Sequence, residues 1–344
     1  MTVKNHVVIT SIAGPDTPAL RVFARQCAKQ GAAFTVVGDV KSPAGFHLDN
    51  CDFWGFDRGN RAPFTLAGLL RANSYARKNI GYLVAIQGGA DAIIETDDDT
   101  IPKPEFWHER SRDVTAETFK KAGWVNTYRY FTDRVVWPRG FALEKLFGAK
   151  KLCEPGGPRT VRAPIQQGLI DKNPDVDAIF RLTLPPPVFF EKKPAIALGT
   201  GCICPLNSQN TTWFKEAFAL LYLPSYCGFR MTDIWRGLIA QRIAWTCGWH
   251  VLHHGATVFH ERNHHNLFKD LRDEVPGYLH IGPIARELRD LGLPCGVEAI
   301  GQNLLTCYSM LIERGCIGKR EMRPLTAWLQ DVATAQKQPA RSYF

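Results

Sequence analysis

Ala92-Ile93-Ile94-Glu95-Thr96-Asp97-Asp98-Asp99 is an apolar run that ends in adjacent carboxylates. Such a run reads as a buried strand with acidic groups at its C-terminal end, the place where open α/β sheets bind ligands. Charge at the end of a buried strand needs a partner. Hard carboxylate oxygens suit Mg²⁺ or Mn²⁺, which in turn hold phosphates. Upstream, Arg77-Lys78-Asn79 puts basic residues near the start of the preceding helix. Together these give the layout expected for a nucleotide diphosphate and its metal. A solvated turn or a helix N-cap uses the same aspartates, so the triplet needs support from its surroundings.

The flanking elements supply an α/β context. Val7 to Ser11 reads as a first strand, and Asp16-Thr17-Pro18 as the start of a helix over Leu20 to Gln30, ended by Gly31. Phe34 to Val37 follows as a second strand. Thr10 and Ser11 then sit at one strand end, Asp39 and Lys41 at the next. Asn73 to Gly88 reads as an amphipathic helix, with Ile80, Leu83 and Val84 on one face. This alternation argues a largely parallel sheet covered by helices. Further on, Trp124 to Asn126, Ala178 to Phe180, Ala195 to Leu198 and Ala256 to Phe259 read as short strands. Glu154 to Pro158 reads as a loop, and Thr232 to Cys247 as a helix with Thr232 as its N-cap. From about Pro283 onward the chain reads as helical.

Composition narrows the class. The 344 residues carry 42 basic and 33 acidic side chains, a net charge of +9, which favours anionic partners. The basic residues are scattered without a run of five, so nucleic-acid binding is not indicated. No signal peptide and no stretch of 18 apolar residues is visible, and the expectation is a cytoplasmic protein. Ten dispersed cysteines, with Cys202-Ile203-Cys204 the one close pair, read as reduced and mostly buried thiols. The chain lacks GxGxxG after its first strand, a P-loop, a GxSxG elbow and HExxH, which argues against the chemistries those motifs serve.

Several residues carry chemistry or packing. Asp233 reads either as a first-turn carboxylate complementing the helix dipole or as a general base, with Arg230 and Arg236 near it. Residues 250 to 265 hold six of the ten histidines, among them His253, His254, His264 and His265. Of these His260, after a strand, is best placed to complete a carboxylate metal site. Trp137-Pro138-Arg139-Gly140 reads as a packed turn or as a substrate loop, in which Arg139 clamps a phosphate.

The chain resembles the STELLO family of glycosyltransferase-like proteins. The resemblance is carried by Val36-Val37-Gly38-Asp39 with Lys41-Ser42-Pro43, the stretch Arg77 to Ala90, the Asp97 to Asp99 cluster, Trp137 to Phe141, Arg230 to Gly237 and Thr326 to Asp331. The acidic triplet, Asp233-Ile234-Trp235 and His260 to Lys269 are also similar to the reversibly glycosylated polypeptides, which are nucleotide-sugar mutases. Both resemblances imply a GT-A fold: a Rossmann-type mixed sheet flanked by helices, here with a helical C-terminal extension. The implied domains are 1–280, its nucleotide-binding half about 1–100 and its acceptor half about 101–280, and the extension 281–344.

Residue by residue, the resemblance implies Asp97 and Asp99 as the outer positions of an Asp-x-Asp motif holding Mn²⁺ or Mg²⁺, with His260 as third ligand. Asp98 would meet sugar hydroxyls, Asp39 the base, and Arg77 and Lys78 phosphate. The implied activity is transfer of a sugar from a nucleotide-diphosphate donor to a saccharide or glycan hydroxyl, as in surface polysaccharide synthesis, with Asp233 as base if the anomeric centre inverts. Two alternatives stand beside it: a nucleotide-sugar mutase, self-glycosylated at Arg139, and a non-catalytic scaffold. Plant members carry a membrane anchor. None is visible here, so the expectation is a soluble catalytic module, and peripheral attachment at the inner membrane face and homo-oligomerisation stay open.

Overall fold

Val7, Val8 and Ile9 lose all solvent contact in β1 (Asn5–Thr10), as a strand covered on both faces requires. A computed structural model describes residues 3–119, 121–146, 156–261 and 266–337. After β1 come α1 (Pro18–Gln30), β2 (Ala33–Val37), β3 (Asp52–Trp54), α2 (Phe56–Asn60), α3 (Lys78–Gln87) and β4 (Ala92–Asp97). Pro18 opens α1, and Gly31 closes it at φ 65°, a conformation that costs glycine nothing. The chain continues through β5 (Thr100–Pro102), β6 (Asp113–Phe119), β7 (Gly123–Trp124), α4 (Tyr128–Phe131), β8 (Pro158–Arg162), β9 (Ile165–Asp171) and α5 (Ala178–Thr183). Then follow β10 (Ile196–Leu198), β11 (Cys202–Ile203), β12 (Asn210–Phe214), α6 (Thr232–Thr246), β13 (Val251–His260), α7 (Leu267–Asp290), α8 (Ile300–Glu313) and α9 (Met322–Lys337).

The large sheet has the order β3-β2-β1-β4-β12-β9-β13-β10-β6-β8, with β5 paired to β13. Its first four strands are parallel. β12 runs antiparallel to β4, and β9 antiparallel to β12, which restores the original direction; β13 is parallel to β9. The carboxyl ends of β1, β2, β4, β9 and β13 and the start of β12 therefore meet at one edge. The expected mixed α/β sheet with helices and a helical C-terminal region is borne out.

Some elements differ from the sequence reading. The expected Asn73 to Gly88 helix begins as a 3₁₀ turn over Tyr75–Arg77, and α3 proper is buried along its whole length rather than amphipathic. Its solvent face is lost because α9 lies over it: Trp328 is fully buried and stands edge-on to Tyr82 of α3, ring centroids 6.4 Å apart. Ala178 to Phe180 is not a strand but the start of α5, because the Asp177 carboxylate caps it by accepting from Phe180 N at 2.8 Å. Thr232 is the first residue of α6, not its N-cap: its hydroxyl donates to Gly228 O at 3.3 Å. α7 starts well before Pro283, runs through residue 280 and carries Pro276 and Pro283 inside it. Part of the expected Glu154 to Pro158 loop, and His264 and His265, lie outside the described residues.

One hydrophobic cluster joins Ile80 and Leu83 of α3, Ile234 and Leu238 of α6, and Leu304 and Trp328 of the last two helices. Asp331 of α9 reaches the first half directly, accepting from Thr65 N at 3.0 Å and Leu66 N at 2.8 Å. No two of the nine described cysteines are joined by a disulfide. No helix among those residues is long and apolar enough to cross a membrane.

Candidate active site

A cavity of about 360 Å³ opens at the edge where the strand ends meet. Thr10 at the end of β1 with Ser11 after it, Asp39 after β2, and Asp97 at the end of β4 with Asp98 and Asp99 after it line one side; Arg139, Asp233 and His260 line the rest. Residues more than two hundred positions apart are thus brought together by topology alone, at the switch point where the chain turns from β1 to neighbours on either side.

Each strand end is fixed by its own hydrogen bonds. Ser11 Oγ donates to Asp98 Oδ2 and accepts from Ala13 N at 3.0 Å. Thr10 Oγ1 is buried without a hydrogen-bond partner in the described structure. Asp39 accepts from Val40 N at 2.7 Å and from Ser74 N at 3.0 Å, which aims its carboxylate. Asp97 Oδ1 accepts from Tyr75 Oη at 2.8 Å and from Lys78 Nζ at 3.2 Å. Burial raises the pKa of Asp97, opposed by Lys78 and reinforced by Asp99. Burial likewise pushes Asp98 up to about 6, with Ser11 opposing and its two acidic neighbours adding. Three partly desolvated carboxylates side by side repel, and a cation placed among them relieves that cost.

Arg77 and Lys78 do not line the cavity, and the expectation that they meet phosphate gives way to a supporting role. Both are fully buried. Arg77 donates to Gly38 O and to Asn60 Oδ1 at 3.0 Å, lies over the Phe56 ring and stands 3.9 Å behind Asp39. Lys78 spends its ammonium on Thr96 O at 2.7 Å, Tyr75 Oη at 2.9 Å, Ser208 O and Asp97. A buried cation is stable only with such partners, and here the partners are the backs of two strand ends.

Opposite the triplet stands a second polar group. Arg139 Nε and Nη2 donate to both oxygens of Asp175 at 2.8 and 2.9 Å, and Nη1 and Nη2 to both oxygens of Asp233 at 3.0 and 2.8 Å. Burial alone would raise the pKa of Asp233; Arg139 first, then Arg236 and Arg230, overturn that and hold it below the usual carboxylate range. Asp233 is therefore more than a helix-dipole carboxylate. Ser208 Oγ lies 3.3 Å from Asp233 Oδ2 and 2.6 Å from Tyr75 Oη, which joins the two groups into one network. Trp137 is a packed-turn residue, donating to Asp177 Oδ2 at 2.6 Å against Phe180.

Sequence reasoning missed Tyr75, Asp175 and Ser208. Asp175 follows Asn173-Pro174, a turn signal at a strand end that marks it in retrospect. Tyr75 and Ser208 lie in segments with no such signal.

For a divalent cation the donor chemistry fits. His260 Nδ1 lies 2.9 Å from Asn173 O, a carbonyl that only accepts, so Nδ1 carries hydrogen. Its buried Nε2 makes no hydrogen bond but stands 2.8 Å from Asp99 Oδ2. In the neutral ring that places a lone pair against a carboxylate oxygen, an arrangement that a proton or a metal ion between them resolves. Asp97 Oδ1 is turned to Tyr75 and Lys78, and among the described residues no three such side chains already converge as a cation cage.

No model of a protein family matches the chain. Over 353 residues it is 27% identical to an Arabidopsis thaliana protein named "Probable glycosyltransferase STELLO2", covering 91% of this chain and 43% of that one. The resemblance to the STELLO family stands. "Probable glycosyltransferase STELLO1" of the same plant is 26% identical over 351 residues, covering 90% of this chain and 42% of that one. The chain spans less than half the length of these two STELLO proteins. Several of the stretches read as STELLO-like meet around the cavity: α3 behind it, the Asp97 to Asp99 triplet and Arg139 on its wall, and the start of α6 opposite. Among solved structures, a mycobacterial protein shows a TM-score of 0.39 at 11% identity, covering 83% of this chain and 74% of that one. The Mycobacterium tuberculosis glucosyl-3-phosphoglycerate synthase shows 0.39 at 9%, covering 83% and 80%.

Proposed function

We propose that the protein is a GT-A-type glycosyltransferase that moves a sugar from a nucleotide diphosphate to an acceptor hydroxyl with the help of Mn²⁺ or Mg²⁺. The observation that carries this reading is the meeting of Asp97, Asp98 and Asp99 with His260 at the edge of a parallel half-sheet, across one cavity from Asp233. The parallel β3-β2-β1-β4 half followed by antiparallel β12 supports the fold assignment.

In this reading Asp39, held by two backbone amides, accepts from the base or ribose of the donor. Asp97, Asp99 and His260 would hold the cation, which would supply Lewis acidity toward charge on the departing diphosphate. Asp98, fixed by Ser11, accepts from hydroxyls. Lys78 and Arg77 hold Asp97 and Asp39 in place from behind. Asp233 stays ionised because Arg139 grips it, and in an inverting reaction it takes the acceptor proton. The Arg139 guanidinium is committed to two carboxylates, which argues against self-glycosylation there and so against the mutase alternative.

The test is thermal stabilisation by a panel of nucleoside diphosphates and nucleotide sugars, with and without Mn²⁺. A ligand binding only the folded state raises the melting midpoint. The expected result is a Mn²⁺-dependent rise with one nucleotide class, lost in Asp97→Ala. No rise with any donor would favour the scaffold alternative and remove the roles given to these carboxylates.

A further inference from the structure

A second cavity, of about 370 Å³, shares no lining residue with the first. It lies beside β13, against the segment 103 to 111 and the stretch 190 to 193. Three features set it apart. β13 is irregular there: His254 pairs with Gly168 and Val258 with Ile170, so Gly255, Ala256 and Thr257 all stand opposite Leu169. Such bulges re-aim side chains and recur beside functional sites. Those three residues form part of the cavity wall.

Two charges of this wall, Arg110 and its chain neighbour Glu109, stand outside its ion pairs. Lys103 pairs with Asp171, Lys192 with Glu105 and Lys193 with Glu191, each at 2.9 Å. Arg110 makes no ion pair with a described residue. Its guanidinium lies over the buried Phe106 ring, 5.1 Å from the centroid, and donates to His108 O at 3.4 Å. Guanidinium carries five N–H donors, so most of them face solvent and are open to a ligand. Arg110 is half-buried, and this desolvation pulls its pKa down, the direction a bound anion would reverse.

His254 completes the wall with a different group. Its Nδ1 lies 3.0 Å from Gly255 O and so carries hydrogen, which leaves Nε2 as an acceptor in the neutral ring. Burial, then Arg110, pushes its pKa down to about 4, so the ring is neutral at pH 7. An arginine awaiting an oxyanion and an imidazole able to accept from a hydroxyl stand in one cavity of small-molecule size.

We propose that this cavity is a second ligand site, separate from the transferase pocket, for a small hydroxylated organic anion whose phosphate or carboxylate is held by Arg110. Because of the bulge, His254 pairs with Gly168 and Phe259 with Asp171, so His254 to His260 advances only about four residues along β9, roughly 13 Å at a strand's rise per residue. The two cavities share no lining residue, so a ligand held by Arg110 is distinct from a donor diphosphate bound at the acidic triplet, and the site stands whether or not the activity proposed above is correct.

Titration calorimetry with glucose 6-phosphate, glucuronate and glucose tests it. Binding of either anion, with glucose at least tenfold weaker, is expected; the phosphate and carboxylate arms tell which oxyanion the site prefers. Arg110→Gln should weaken the anion at least tenfold while Asp97→Ala leaves it unchanged. Equal binding of glucose, unchanged affinity in Arg110→Gln, or loss in Asp97→Ala would overturn the proposal. Hydrogen exchange on the unaltered protein gives a readout free of folding effects. Anion-dependent protection at 108–111 and 254–257 supports the site; protection confined to the strand ends at the first pocket, or no protection, refutes it.

Discussion

Single side chains decide the chemistry of the first pocket. Asp233 is held by two hydrogen bonds from Arg139, and its replacement by Asn keeps the shape while removing the charge. Asp233→Asn is expected to lower transfer by about 10² to 10⁴ while leaving nucleotide binding intact, read as kcat against the midpoint shift with nucleotide. Unchanged turnover would remove Asp233 from the mechanism. A second prediction concerns Asp177, fully buried beneath Trp137 at the cap of α5. Burial raises its pKa from 3.8 to about 6, so the folded state binds this proton more readily than the unfolded chain does. The carboxylate therefore costs stability above pH 6, and that cost is relieved as pH falls from about 6 to about 4. The full effect is about 3 kcal/mol at most. Compared with Asp177→Asn, the unaltered protein should gain stability as pH drops from 7 to 4.5, measured by urea unfolding. A difference independent of pH would contradict it.

At the scale of elements, α3 lies so close to the sheet that Gly81 has no room for a side chain. A Cβ there would stand 2.6 Å from Val8 Cγ1 and 2.8 Å from Val37 Cγ2. Gly81→Ala, normally favourable in a helix, should here cost about 1–3 kcal/mol by overpacking, read as a lowered urea midpoint with unchanged slope. Gain of stability would show that helix and sheet can separate at low cost. The elements also show what the sequence made legible. β1, α1, β2, β4 and α6 carry local signals: apolar runs, an opening proline, a closing glycine. The wall of the pocket built from the acidic triplet was readable for the same reason, because charge ends an apolar strand. Arg77 and Lys78 were legible as functional but not as buried. Nothing local says that their helix is covered on its outer face by residues 322 to 337. α5 was misread because an Ala-Ile-Phe run suits either strand or helix, and the Asp177 cap decided it. Tyr75 and Ser208 owe their place to tertiary packing alone.

For the whole molecule, the last helices complete the core of the first half. Trp328 is fully buried and donates to Ala219 O at 2.8 Å. Trp328→Ala should cost about 3–5 kcal/mol, and with it the midpoint of the entire protein should fall as one transition. Two separate transitions, one unaffected by the substitution, would show that the first half holds itself together.

That dependence has a consequence during synthesis. α3 leaves the ribosome about 250 residues before α9, the helix that covers it. At about 5–20 residues per second, the apolar outer side of α3 waits on the order of ten seconds to a minute for its cover. The nascent first half is thus expected to hold its sheet partly open and to be bound by holding chaperones. A protein truncated before α9 should stay bound to such a chaperone, whereas the chain extended through Lys337 is released.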